Sequence, residues 1–157
     1  MATIEDYVSG KVCQQITKSF AIFNAAGKSS LAGTRIGDIL AENVGKLAPK
    51  KLSIDDAVKL IQNSRRCAVG ARVCVAVHKE VPFTESVFLD ELAEEMAKAG
   101  KARLATKTEA IDNLKKYRKQ PIIVTKVSGK HAEICPTWAK KCIYWNMEKH
   151  RLKCIQR

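Results

Sequence analysis

Two cysteine pairs with the same spacing constrain this chain more than any other feature of its sequence. Six residues separate Cys67 from Cys74, and six separate Cys135 from Cys142. On a continuous helix such thiols would lie roughly 10 Å apart, and on an extended strand more than about 20 Å apart. Neither distance suits two ligands of one small centre. Each pair therefore predicts a folded loop.

The C-terminal tail concentrates the thiols. Cys135, Cys142 and Cys154, half of the six cysteines, fall within the last twenty-three residues together with both tryptophans. Pro136 is predicted to block the continuation of strand pairing after Cys135 and to turn the chain there. In the upstream pair, Gly70 supplies the backbone freedom that a loop needs.

Composition decides how these cysteines should be interpreted. With 157 residues and 46% hydrophobic residues, the chain can bury a core without a disulfide or a metal. The N-terminus is acidic where a secretory signal would be basic, and no apolar run approaches the eighteen residues of a membrane span. We therefore expect a cytoplasmic protein that does not insert into membranes. In that reducing setting, thiols serve as ligands more often than as disulfides.

The spacing favours an iron–sulfur cluster over zinc, because cysteine zinc sites usually contain pairs only two to four residues apart. Thiolate ligands of clusters come from wider and more varied spacings. We predict one [4Fe–4S] cluster bound by Cys67, Cys135, Cys142 and Cys154. Cys74, which is set among valines, is the alternative ligand, and Zn is the alternative cofactor.

Basic and aromatic residues surround the predicted ligands. Arg66, Arg72 and Lys141 place positive charge beside the sulfurs, which favours the thiolate form and an anionic cluster. Trp138 and Trp145 are predicted to shield the centre from water. These five residues are the expected cofactor-binding set.

The positive charge is concentrated in the last third of the chain. Residues 101–157 carry fifteen lysines and arginines against four acids, which accounts for +11 of the formal net charge of +12. Such a surface predicts an acidic protein redox partner, with nucleic acid as the alternative partner. The N-terminal helix predicts either a core element or a homo-oligomer contact.

The expected function follows from the cluster. We predict an iron–sulfur protein that acts in electron transfer or redox sensing and docks through a basic C-terminal face. The alternative is a zinc-stabilised nucleic-acid-binding module. No catalytic signature of serine, histidine and aspartate is present, and no Cys-x-x-Cys pair. Stand-alone catalysis is therefore not expected, and an accessory role in a larger redox enzyme stays open.

Capping residues and hydrophobic periodicity predict an α+β fold in one domain. The predicted parts are a mostly helical region over about 1–63, a cysteine loop over 64–78, and a mixed region over 84–157 that contains a small antiparallel hairpin and the cysteine-rich tail. Helices are predicted over 3–25, from Thr34, over 53–63, over 85–99 with Thr84 as cap, and over 106–117. Strands are predicted over 101–105, 121–127 and 130–135.

Overall fold

An antiparallel sheet of six strands organises the molecule, and the predicted α+β class is confirmed. The structure is a computed structural model that describes residues 2–72 and 85–157. In these two ranges the strands are β1 (Lys50–Leu52), β2 (Cys67–Ala71), β3 (Glu85–Leu89), β4 (Ala102–Ala105), β5 (Ile122–Val127) and β6 (Lys130–Pro136). They are ordered β1-β5-β6-β3-β2-β4 in space.

Helices cover both faces of this sheet. They are α1 (Ile4–Val8), α2 (Lys11–Ala26), α3 (Arg35–Gly45), α4 (Ile54–Asn63), α5 (Asp90–Lys98), α6 (Lys107–Lys115) and α7 (Ile143–Lys149). The helices α4 and α6 cover one face, whereas α1, α2, α5 and α7 cover the other. We call these the α4/α6 face and the α2/α7 face.

Side chains of the central strands alternate between the two faces, as the two-residue period of a strand requires. Cys67, Val69 and Val87 belong to the hydrophobic core of the α4/α6 face. Their neighbours Ala68 and Phe88 belong to the core of the α2/α7 face. The register Ala68 to Phe88 and Val69 to Val87 keeps the two sets apart.

The predicted helix over 3–25 is interrupted. Gly10 has a φ of +85°, a left-handed conformation that separates α1 from α2. Thr3 closes a reciprocal capping box with Asp6 at the start of α1. The apolar period continues across the break, which is why the sequence pattern predicts a single helix.

The predicted helix over 85–99 is wrong for its first five residues. Glu85–Leu89 form β3, and α5 begins only at Asp90. Four consecutive residues of β3 are buried because helices cover both faces of this central strand. A strand that is buried on both faces shows no alternation of polar and apolar residues, so its sequence cannot be distinguished from that of a helix. The predicted cap Thr84 lies outside the described residues.

The predicted cysteine loop begins as a strand. Cys67–Ala71 form β2, which pairs with β3 on one side and β4 on the other. A Cβ atom on Gly70 would lie 2.6 Å from the carbonyl oxygen of Lys101. Glycine is therefore needed there for the close approach of β4, and not for a loop.

Other boundaries agree better with the sequence. Thr34, Ser53 and Thr106 cap α3, α4 and α6 through their side-chain oxygens, as predicted. The hairpin of β5 and β6 is confirmed, with Ser128 and Gly129 at positive φ in its turn. The segment before Ser53 also contains the edge strand β1, which lies inside the region predicted to be mostly helical.

The tail returns to the sheet. The amide of Lys51 donates to the carbonyl of Gln156 at 2.8 Å, and the amide of Gln156 donates to the carbonyl of Pro49 at 2.9 Å. These bonds place the chain end beside the outer edge of β1. In residues 2–72 and 85–157, none of the helices combines the length and apolar character that crossing a bilayer requires.

Candidate thiol site

A row of polar side chains crosses the sheet on its α2/α7 face. Thr125 of β5 pairs with Glu133 of β6, and the hydroxyl of Ser86 on β3 donates to the Glu133 carboxylate at 3.0 Å. Arg72 follows β2 and carries its guanidinium to the same region. All four residues are buried. We call Thr125, Glu133, Ser86 and Arg72 the polar row.

Buried polar residues of this kind are costly unless they are paired, because charge is poorly stabilised away from water. The positive charge of Arg72 opposes the effect of burial on Glu133. Tyr7 of α1 covers the row, with its hydroxyl 3.4 Å from the Thr125 hydroxyl. The register of β5 and β6 shifts between Thr125 and Lys126, an irregularity that often occurs beside functional sites.

Arg72 connects this row to the thiol of Cys135. Its Nη1 donates to the carbonyl oxygen of Pro136 at 2.9 Å and lies 3.7 Å from Cys135 Sγ. The Cys135 thiol itself donates to the Pro136 carbonyl at 3.4 Å. The guanidinium is therefore held against both the sulfur and the turn that follows it.

A second cysteine contributes to the same part of the molecule. Cys142 and Cys135 both line a cavity of about 20 Å³, which we call the thiol cavity. A cavity of this size has room for about one water molecule. It is also lined by Arg72, Glu133, Thr125, Tyr7, Ile16, Lys141 and Tyr144.

Burial controls the ionisation of these groups. It raises the pKa of the Cys135 thiol to about 11, although Arg72 opposes that shift. Burial also raises the pKa of Glu133, against the hydrogen bonds from Tyr7 and Ser86 and the charge of Arg72. The pKa of Tyr7 is raised well above its usual value for the same reason. At neutral pH the Cys135 site is thus a neutral thiol beside a guanidinium.

Cys67 does not share this site. It belongs to the core of the α4/α6 face, where its thiol donates to the carbonyl of Ala105 at 3.3 Å. Ile134 belongs to the same core as Cys67. Cys135 is the next residue of β6, so its side chain points to the opposite face of the sheet. Burial raises the pKa of Cys67 too. The predicted convergence of Cys67 and Cys135 is therefore not what the structure shows.

The other predicted ligands are Cys154 and the alternative Cys74, and within the described residues Cys154 does not line the thiol cavity. Cys154 donates to the carbonyl of Tyr144 at 3.6 Å, so it is next to a residue that lines the thiol cavity. Burial raises its pKa to about 12, with Glu148 adding to the effect. Cys74, the alternative ligand, lies outside the described residues. In residues 2–72 and 85–157, no group of three or more histidines, cysteines or acids has an arrangement that could hold a metal ion.

Some of the predicted cofactor-binding residues line the thiol cavity and others lie elsewhere. Arg72 and Lys141 line the thiol cavity. Arg66 instead pairs with Glu94, with its Nε 3.3 Å from the carboxylate.

The tryptophans support the turn that carries Cys142. The Trp145 indole donates to the Thr137 hydroxyl at 2.8 Å. The carbonyl of Trp138 accepts from the amides of Lys141 and Cys142, each at 2.9 Å. Both tryptophans are half-buried, and these contacts hold the segment between β6 and α7 in place.

Sequence reasoning missed Tyr7, Ser86, Thr125 and Glu133. One signal was available for Glu133, because it is a charged residue between apolar Ala132 and Ile134 in a well-predicted strand. A charged residue at that position faces the α2/α7 side of a central strand. No comparable signal exists for Tyr7, whose position depends on how α1 packs over the sheet.

Comparisons of this chain with protein-family models, with curated proteins and with solved structures found no match. The class is therefore defined by the fold and the site alone. It is an α+β protein with a mostly antiparallel core sheet and a buried site of thiols, arginine and glutamate.

Proposed function

We propose that this chain senses redox state through the thiols of Cys135 and Cys142 and docks to an anionic partner through its basic C-terminal face. One observation carries the proposal: both cysteines line a single cavity, with the guanidinium of Arg72 against one sulfur. A buried cluster of ionisable groups in a hydrophobic core is expensive, and such clusters occur most often where they have a function.

The chemistry is a dithiol oxidation by a peroxide. The sulfur of Cys135, as its thiolate, attacks one oxygen of hydrogen peroxide, so that an S–O bond forms and the O–O bond breaks. The hydroxide that leaves takes up the proton released when the thiol ionised and departs as water. The sulfur of Cys142 then attacks the sulfenic acid, an S–S bond forms, and a second water leaves. Two thiols are oxidised and one peroxide is reduced. Arg72 stabilises the thiolate that the first step requires.

The raised pKa makes this a slow sensor at neutral pH. Because the Cys135 thiol is protonated until about pH 11, only a small fraction is nucleophilic in neutral solution. The resting site therefore resists brief exposure to oxidant and responds to sustained exposure.

Peptide mapping tests the proposal directly. The reduced chain is treated with stoichiometric hydrogen peroxide, alkylated and digested with trypsin, which cuts after Lys140 and Lys141. A disulfide would then join peptide 131–140 to peptide 142–149. Cys13→Ser should leave this product unchanged, and Cys142→Ser should abolish it. Oxidation of Cys135 and Cys142 without their linkage would contradict the proposal.

An iron–sulfur centre is a second candidate, and the contact between Arg72 and Cys135 favours a revised ligand set. Arg72 is two residues from Cys74 in the sequence, so Cys74 replaces Cys67 as the proposed companion of Cys135, Cys142 and Cys154. A cluster would need a larger space than the thiol cavity offers, so this form requires the site to open.

Iron and sulfide analysis of anaerobically purified protein separates the two forms. A [4Fe–4S] centre requires about four irons and four sulfides per chain. Both should be lost in Cys74→Ala and Cys135→Ala and retained in Cys67→Ala. A colourless protein without iron would exclude the cluster and leave the disulfide form. One zinc per chain would instead support the zinc-stabilised alternative.

A further inference from the structure

A second cavity lies beside the thiol cavity and opens to solvent. It measures about 250 Å³ and lies between the end of α2 and the segment from Lys140 to His150. Two lysines and two amide side chains contribute to its wall. Its lining residues are Phe20, Phe23, Asn24, Gly27, Lys140, Lys141, Asn146 and His150.

Cations surround this cavity. Lys140 and Lys141 line it, Lys28 adjoins its wall at Gly27, and Lys149 donates to the Ala139 carbonyl at 3.1 Å. Arg151 follows His150. We call Lys28, Lys140, Lys141, Lys149 and Arg151 the basic face, and all five are exposed.

Little negative charge offsets the basic face. In residues 2–72 and 85–157, the five ion pairs involve other cations. Glu148 is the one acid between Ala139 and Lys153, and both of its oxygens are engaged by Arg157, at 2.8 and 3.1 Å. The positive potential is therefore left for a ligand.

Ring stacking and a hydrogen bond hold the wall behind the lysines. The ring of His150 stacks on Phe23, with centroids 4.9 Å apart and planes inclined by 9°. Its Nδ1 lies 2.7 Å from the carbonyl oxygen of Ser29, so Nδ1 carries the proton and donates. Phe20, Phe23 and His150 are each at most 5% exposed, so they offer no face for a nucleobase to stack on.

We propose that this cavity binds a phosphate of a nucleic-acid backbone, while the rest of the basic face binds the neighbouring phosphates. The cavity is smaller than most sites that enclose a drug-sized ligand, so one phosphate and part of its sugar fill it. Repeated phosphates match the spread of cations better than a single small anion does. Because the three rings in the cavity wall are buried, base stacking does not contribute there, and binding depends mainly on phosphate contacts that weaken with salt.

This inference specifies the anionic partner of the proposed function and rests on its docking part. It does not depend on thiol oxidation. For that reason the test uses fully reduced protein, and Cys135→Ser should bind nucleic acid as the unmodified chain does. Failure of the disulfide test and failure of the binding test are thereby separate results.

Fluorescence anisotropy with a labelled twelve-residue oligothymidylate measures the binding. At 50 mM NaCl we expect a Kd on the order of 10 µM, weakening steeply by 200 mM. The double variant Lys140→Ala/Lys141→Ala should weaken binding at least about tenfold and reduce the salt slope by about 1 to 2. A matched control, Lys115→Ala/Lys116→Ala, removes the same charge from the end of α6 and should change Kd less than about twofold.

A second pair of variants tests the cavity itself. Asn24→Asp places a negative charge in its wall, whereas Gln14→Glu places one elsewhere on α2. We expect Asn24→Asp to weaken binding several-fold more than Gln14→Glu. Equal effects within each matched pair, or no binding at 50 mM NaCl, would overturn the inference. Heparin that binds as tightly as the oligonucleotide, per charge, would also overturn the assignment to nucleic acid.

Discussion

Arg72 Nη1 lies 3.7 Å from the sulfur of Cys135 and donates to the carbonyl oxygen of the next residue, Pro136. The two residues are far apart in the sequence, and the central strands β2, β3 and β6 bring them together. This contact joins the charged part of the polar row to the thiol cavity.

Removing the guanidinium should destabilise the protein strongly. Arg72→Gln removes the charged hydrogen bond to the Pro136 carbonyl and the positive charge that opposes the burial of Glu133, and loss of a hydrogen bond from a charged group costs about 2 kcal/mol. Urea unfolding measures the change in the free energy of unfolding. The control is Arg103→Gln, which breaks the exposed pair with Glu85 and should cost less than about 1 kcal/mol. Equal losses would mean that the Arg72 contact has no special energetic role.

The reactivity of Cys135 should rise steeply with pH. Its pKa of about 11 lies above the working range, so each added pH unit between 7 and 9 increases the thiolate fraction about tenfold. Iodoacetamide labelling, read peptide by peptide in a mass spectrometer, gives the rate for this cysteine alone. A rate that levels off below pH 9 would show that the thiol is far more acidic than the site implies.

Stability should fall as pH rises through the titration of Glu133. Its pKa is raised in the folded chain, so the folded state retains a proton that the unfolded state releases above its ordinary value of 4.5. The stabilisation is complete below that value and is lost as pH climbs through the raised pKa.

Glu133→Gln should remove this downward trend from urea unfolding measured between pH 4 and 7.5. Glu148→Gln is the control with the opposite sign. Arg157 lowers the pKa of Glu148, so its contribution is present at higher pH and lost on acidification. If Glu133→Gln and the unmodified chain gave parallel pH profiles, Glu133 would not titrate as its surroundings require.

Gly70→Ala should destabilise the sheet. The added Cβ would lie 2.6 Å from the Lys101 carbonyl oxygen, and the forced separation of β2 from β4 costs about 1–3 kcal/mol. Gly45→Ala at the end of α3 meets no atom within 4 Å and should raise stability by up to about 1 kcal/mol. Tolerance of alanine at Gly70 would be consistent with the folded loop that the cysteine spacing predicts, and inconsistent with paired strands.

Local signals in the sequence were sufficient for much of the secondary structure. Thr34, Ser53 and Thr106 predict helix starts because a side-chain oxygen that satisfies a free amide is a property of a few adjacent residues. The hairpin of β5 and β6 was also predictable, from two apolar runs separated by Ser128 and Gly129. Such features need no knowledge of the rest of the chain.

Features that depend on distant partners were not predictable. Glu85–Leu89 form a strand because β2 and β6 pair with this segment on either side. Nothing in the sequence of these five residues indicates which strands will pair with them. Cys67 and Cys135 each begin a cysteine pair with the same spacing, but their side chains lie on opposite faces of the sheet. The sequence could indicate that the thiols near Cys135 are important, but only the three-dimensional structure shows that Cys135 and Cys142 line one cavity.

Lys141 lines both the thiol cavity and the second cavity, for which we propose phosphate binding, and its backbone adjoins Cys142. A crosslink at Cys142 would restrain the turn that presents this lysine, so we expect oxidation to alter affinity for the polyanion. Thermodynamic linkage makes this effect reciprocal. If oxidation changes the binding constant for the polyanion by some factor, bound polyanion changes the equilibrium constant for disulfide formation by the same factor. Because one side chain is shared by two cavities, the affinity of the chain for its partner would depend on its oxidation state.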